Sequence, residues 1–184
     1  MDATETYYSV FATHLQAWTA NSAPGNGVAI REYQAEQFAQ FIASQSIPTT
    51  EAVLLAGDFN MDKTGSELEP ALRTLAAKLP RTVGTIQGTH SDDNLTRINT
   101  DTKKWLDYVV YSTRHRRPTS ATMQAIALTP ASAFEACTGS AWSHSVAPHS
   151  AGCATTEKVN ALSDHLPVIG RFEFSGPSSS GSSH

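Results

Sequence analysis

Apolar and polar positions change period several times along the chain, and each change marks an element. Tyr7 to Thr13 (YYSVFAT) is aromatic and β-branched, which predicts a strand ending at His14. A Gly/Pro/Asn loop follows from Asn21 to Gly27. Between Ala29 and Ser44 the apolar residues Ile30, Tyr33, Phe38, Phe41 and Ile42 recur at helical spacing, predicting an amphipathic helix closed by Pro48. Glu51 to Gly57 (EAVLLAG) is a short continuous apolar run, the pattern of a strand buried on both faces, with Asp58 at its end. Leu68 to Leu79 reads as a second helix stopped by Pro80, and Gln87 to Thr102 as a polar loop. Strands are predicted at Trp105 to Ser112, Thr122 to Leu128 and Pro167 to Phe174, with an irregular stretch from Thr129 to Asn160. Ser175 to His184 is rich in Gly and Ser, a disordered tail in composition. Strands alternating with helices, then late strands without them, predict an α/β sandwich with a mixed sheet.

Composition narrows the functional classes. At 184 residues the chain is one domain's worth, long enough to bury a sizeable core. Thirteen Lys plus Arg against 17 Asp plus Glu leave a net charge of −4 and a pI near 5.9, so no nucleic-acid partner is expected. No run approaches the ~20 consecutive apolar residues of a membrane span. Met1 to Thr6 carries neither a basic nor an apolar leader segment. Cys137 and Cys153 lack CxxC spacing, which argues against a zinc cage. Two readings of them stay open: small buried or loop residues, or a disulfide closing the loop between them in an oxidising compartment.

Chemistry-bearing residues stand at strand ends in four places. Thr13-His14-Leu15-Gln16 follows the first strand. Gly57-Asp58-Phe59-Asn60 puts a carboxylate and an amide two residues apart, able to face one hard cation or one phosphoryl oxygen. Trp105-Leu106-Asp107-Tyr108-Val109-Val110 interrupts an apolar strand with an acid that needs a partner if buried. Ser163-Asp164-His165-Leu166-Pro167-Val168 pairs an acid with an imidazole before the last strand. Taken singly, each also suits a loop, a cap or a strand end. Their joint occurrence in this order is the specific signal.

In that order the four resemble the endonuclease/exonuclease/phosphatase superfamily, the divalent-metal phosphodiesterases related to deoxyribonuclease I. VFATHLQA, REYQ opening a helix, LLAGDFNMD, WLDYVVYS with His115 shortly after, and LSDHLPV are similar to bacterial-type neutral sphingomyelinases. The similarity covers Tyr7 to Phe174. It implies a four-layer αββα sandwich, here lacking its N-terminal strands and helices. Residues 1–174 would then be the C-terminal portion of that domain and 175–184 the tail. Members of the superfamily supply an Asn after their first strand and a metal-binding Glu shortly after it, and neither has a match here.

The resemblance implies Mg²⁺-dependent hydrolysis of a phosphodiester, with sphingomyelin at a membrane surface cleaved to ceramide and phosphocholine. A nuclease or inositol phosphatase is the alternative within the family. A catalytically incomplete, non-enzymatic piece is the alternative outside it. His165 would be the general base, oriented by Asp107; Asp58 and Asn60 would hold the nucleophile or a second metal. His14 would stabilise the transition state or protonate the leaving alkoxide, and Asp164 and His165 would lie at the main Mg²⁺. Trp142 falls where some sphingomyelinases carry a membrane-dipping hairpin, flanked here by Cys137 and Cys153. A full-length parent would be secreted, its leader preceding the part lacking here.

Overall fold

The computed structural model describes residues 7–17, 26–90, 104–137, 156–159 and 163–175. Its centre is a mixed four-stranded sheet in the order β1-β2-β5-β3. β1 (Tyr8–His14) runs parallel to β2 (Ala52–Asp58), which pairs antiparallel with β5 (Asp107–Ser112). β3 (Ala77–Lys78) closes the far edge beside β5. A second sheet has the order β4-β6-β9, from Arg81–Thr82, Ser120–Ala125 and Val168–Glu173.

One face of the first sheet, carrying Val53, Leu55, Tyr108 and Val110, is buried in a core shared with Ala35 and Ile42 of α1 (Asn26–Ser44) and Leu68 and Leu72 of α2 (Leu68–Thr74). The other face meets the second sheet, where the Tyr111 and Phe172 rings stand edge to face at 6.2 Å. Gly170 makes the close approach possible: a Cβ there would lie 2.9 Å from Val109 Cγ1. The described residues thus form three layers, helices, sheet and sheet. The outer face of β9, with Ile169, Arg171 and Glu173, is exposed.

Several elements differ from their predicted bounds for physical reasons. α1 starts at Asn26, and its buried stripe is Gly27, Arg31, Ala35 and Ile42; the expected Ile30, Tyr33 and Phe41 are exposed. Small residues let the helix sit close to the sheet. Arg31 is buried because it forks onto Glu67, with Nε–Oε2 at 2.8 Å and Nη2–Oε1 at 2.9 Å, and donates Nη1–H to Gln16 O at 3.0 Å. α2 ends five residues before the predicted Leu79. Ala76 takes a φ of 47° and its carbonyl accepts Thr113 N–H at 2.7 Å, which turns Ala77 and Lys78 into an edge strand. β6 begins two residues before the predicted Thr122, and Ile126 N–H already leaves it for Pro167 O at 3.0 Å. Part of the stretch expected to be irregular forms an antiparallel pair, β7 (Phe134–Cys137) with β8 (Thr156–Val159). Trp142, Cys153 and the proposed tail after Ser175 lie outside the described residues.

Candidate active site

Three of the four strand-end motifs are brought together by sheet register alone. His14 pairs with Asp58 across β1 and β2, and Asp58 pairs with Asp107 across β2 and β5. Paired residues on neighbouring strands project to the same face, so the three side chains stand abreast at one end of the sheet. His14 Nε2 lies 3.4 Å from Asp58 Oδ2. The approach of β1 to β2 depends on Gly57, whose φ of 134° and proximity to Thr13 leave no room for a side chain.

The fourth motif docks onto these. His165 Nδ1 is 2.8 Å from Asp107 Oδ2, and its Nε2 is 3.8 Å from Asp58 Oδ2. A cavity of about 370 Å³ lies beside them, lined by Gly57, Asp107, Ser163 and His165 among others. Asn60, with a φ of 51°, bends back: its backbone N–H donates to Asp58 Oδ1 at 2.8 Å. Its Nδ2 donates to Leu15 O at 2.9 Å and to Asp58 Oδ2 at 3.1 Å, leaving the amide oxygen for a ligand.

The backbone beneath the site is closely held. Leu15 N–H donates to Asp58 O and Phe59 N–H to Leu106 O, both at 2.9 Å. Thr89 is fully buried, and its Oγ1 accepts Leu106 N–H at 3.0 Å and Asp107 N–H at 3.1 Å. Thr89 O also accepts Leu166 N–H at 2.7 Å, so one residue joins the Asp107 strand to the His165 segment.

Thr89 and His90 fall in the expected polar loop from Gln87 to Thr102, which sequence reasoning gave no part in the site. His90 Nε2 lies 3.8 Å from Asp164 Oδ2, and its ring centroid is 4.7 Å from that of His165. The signal available in the sequence was a polar Gly-Thr-His (88–90) shortly before the acid-bearing strand.

Burial raises the Asp58 carboxyl above the ordinary aspartate value, and the charge of Asp107 adds to this; the Asn60 N–H and the two imidazoles pull the other way. His165 is raised above the ordinary histidine value, chiefly by its hydrogen bond to Asp107, with burial opposing and the charges of Asp107, Asp58 and Asp164 assisting. Two carboxylates crowd one imidazole, a concentration of negative charge that a divalent cation would relieve. Among the described residues, two overlapping groups could hold a metal ion, Asp58 with Asp107 and His165, and His90 with Asp164 and His165. His165 belongs to both. Of the expected metal residues, Asp58 and Asp164 therefore fall in different groups, and Asn60 stands beside Asp58.

A sandwich built this way, with acids and imidazoles at the ends of its strands, defines a deoxyribonuclease I-like fold. Residues 3–165 match the Endonuclease/Exonuclease/phosphatase family, and the chain belongs to it. The particular relatives are bacterial sphingomyelinases. The chain is 28% identical over 121 residues to the sphingomyelinase C of Bacillus cereus, a match covering 61% of this chain and 36% of that protein. Among solved structures it superposes on sphingomyelinase C from Streptomyces griseocarneus with a TM-score of 0.69 at 25% identity, covering 88% of this chain and 51% of the other. A Staphylococcus aureus beta toxin variant with bound magnesium ions gives a TM-score of 0.70 at 21% identity, covering 89% and 52%. The chain thus spans about a third of the length of that curated relative and about half of these solved structures.

Proposed function

We propose that the chain carries the phosphate-cleaving cleft of a Mg²⁺-dependent sphingomyelin phosphodiesterase. The observation that carries this reading is the line Asp107–His165–Asp58, an imidazole fixed at Nδ1 by one carboxylate and offering Nε2 beside another. Nδ1–H donated to Asp107 leaves Nε2 as the basic atom. His165 Nε2 takes a proton from water, the water oxygen bonds to phosphorus, and the bond from phosphorus to the ceramide oxygen breaks. His14, beside Asp58, supplies the proton for the leaving alkoxide. Asp58 and the Asn60 amide oxygen orient the attacking water and the phosphoryl oxygens. Asp58, Asn60 and Asp164 are the residues that would hold Mg²⁺, whose hard, oxygen-seeking charge would neutralise the phosphate when bound, while both ring nitrogens of His165 are taken up by Asp107 and the water. The substrate is a choline phospholipid presented at a membrane surface, reached from outside the cell by a secreted parent protein.

A chimera joining the N-terminal portion of the Streptomyces griseocarneus enzyme to this chain tests the reading. It should release phosphocholine from sphingomyelin vesicles in Mg²⁺, lose that activity to a chelator, and slow at least ~10²-fold with His165→Ala. Activity that persists in excess chelator, or survives His165→Ala, refutes the mechanism. A folded chimera that nicks plasmid DNA and leaves sphingomyelin intact would replace the lipid by nucleic acid. A second reading is a protein that binds without cleaving. It predicts that the chain alone is inactive.

A further inference from the structure

The segment Ala77 to Thr82 serves both sheets: β3 is an edge strand of the first and β4 an edge strand of the second. The chain crosses between them at Leu79 and Pro80, and a cavity of about 590 Å³ opens at the crossing. Its polar lining is Lys63, Lys78, Arg81, Thr82, Tyr111 and Thr119, with no carboxylate. None of these residues belongs to the cleft of His14, Asp58, Asp107 and His165.

Among the described residues, no carboxylate forms an ion pair with Lys63, Lys78 or Arg81. Lys63 is partly buried; its Nζ donates to Thr82 Oγ1 at 2.5 Å and stands 5.1 Å from the centroid of the Trp105 ring. The neighbouring Asp62 is occupied elsewhere, its Oδ1 accepting the Thr64 N–H and hydroxyl, each at 2.9 Å. Burial without a counter-charge lowers the Lys63 ammonium from the ordinary lysine value. Three cations around one open cavity, with hydroxyls between them and no acid, attract an anion more than they support a fold.

We propose that this cavity binds a phosphate-type anion at a site separate from the catalytic cleft. Arg81 offers a planar fork, Lys63 and Lys78 offer point charges, and Thr82 and Thr119 offer hydroxyls, a donor set suited to a tetrahedral oxyanion with several oxygens to satisfy. Free phosphate and a phosphomonoester lipid headgroup present the same chemistry.

The experiment titrates the whole chain with inorganic phosphate by calorimetry. In parallel, vesicles of phosphatidic acid in phosphatidylcholine are compared with phosphatidylcholine alone by sedimentation, all at about 0.15 M salt to suppress diffuse attraction. Saturable binding is expected, weakened at least ~5-fold by Arg81→Gln and by Lys63→Gln, and unchanged by Asp107→Asn in the catalytic cleft. Arg81 is exposed, so its variant keeps the test valid if Lys63→Gln perturbs folding. Arg81-dependent binding of phosphate alone identifies a soluble anion, and of acidic vesicles alone a headgroup; either supports the site. Binding in neither arm, binding indifferent to Arg81→Gln, or binding lost in Asp107→Asn overturns it.

Discussion

Replacing Gly57 by Ala tests how the candidate site is held together. A Cβ at residue 57 would stand 1.8 Å from Thr13 O, and 3.0 Å is the closest that real Cβ atoms come to such a neighbour, so β1 must retreat by about 1.2 Å. The φ of 134° is a region that side chains rarely adopt, and holding it costs about 1–3 kcal/mol. Overpacking against a backbone carbonyl adds about 1–3 kcal/mol. Together these reach about 2–6 kcal/mol, against a domain stability of about 5–15 kcal/mol. Gly84→Ala separates the two contributions: its φ is 88°, but its nearest neighbours are Gln124 side-chain atoms at 3.7 and 3.8 Å, so only backbone strain applies. In urea unfolding followed by tryptophan fluorescence, Gly57→Ala should lower the midpoint by about 1–3 M and Gly84→Ala by about 0.5–1.5 M, at a slope near ~2 kcal/mol per M. The displaced carbonyl precedes His14, so the His14–Asp58 contact should loosen in the same variant. A Gly57→Ala midpoint no lower than that of Gly84→Ala would refute the reasoning.

Other expectations follow from the same contacts. His165 has its folded-state pKa raised above 6.5, so its contribution to stability is full below pH 6.5 and is lost as pH rises through the folded value; unfolding midpoints in metal-free buffer should fall across that window. Asp107→Asn should flatten the fall and lower the His165 imidazole pKa by NMR, and an unchanged pKa would contradict the assigned cause. Thr89→Val strands two N–H groups and should cost about 2–6 kcal/mol, whereas Thr89→Ser, which keeps the acceptor, should cost less than half of that; equal losses would show that packing dominates. Among the described residues β1 is an edge strand, and its Val10 is 63% exposed, so the chain should self-associate with concentration in analytical ultracentrifugation. Val10→Lys should suppress that association, and an unaltered profile would place the contact elsewhere.

What the sequence made legible depended on which residues carried the signal. The motifs around His14, Asp58, Asp107 and His165 were readable because each interrupts, ends or precedes an apolar run, and sheet register then aligns the first three. Thr89 was not, because its hydroxyl serves backbone N–H groups, which every residue but proline possesses and no pattern reveals. The stripe of α1 was misread because size rather than hydrophobicity selects Gly27 and Ala35, and because Arg31 is buried through a partner 36 residues away. The end of α2 turns on the left-handed backbone of Ala76, a residue whose propensity argues for continuing the helix.

Building the cleft across three strands also sets the order in which it comes into being. His14 and Asp58 are neighbours across parallel strands that the chain joins through a 19-residue helix. Asp107 joins when a third, distant strand docks, and His165 closes onto it from 58 residues further along. No short stretch of chain carries a working fraction of this arrangement, and loop-closure entropy is spent before any of the contacts forms. During refolding, helical signal should therefore return first and sheet protection next, with the His165–Asp107 contact appearing only as the last segment settles. A newly made chain would lack the assembled cleft until that moment, then complete it in a single step.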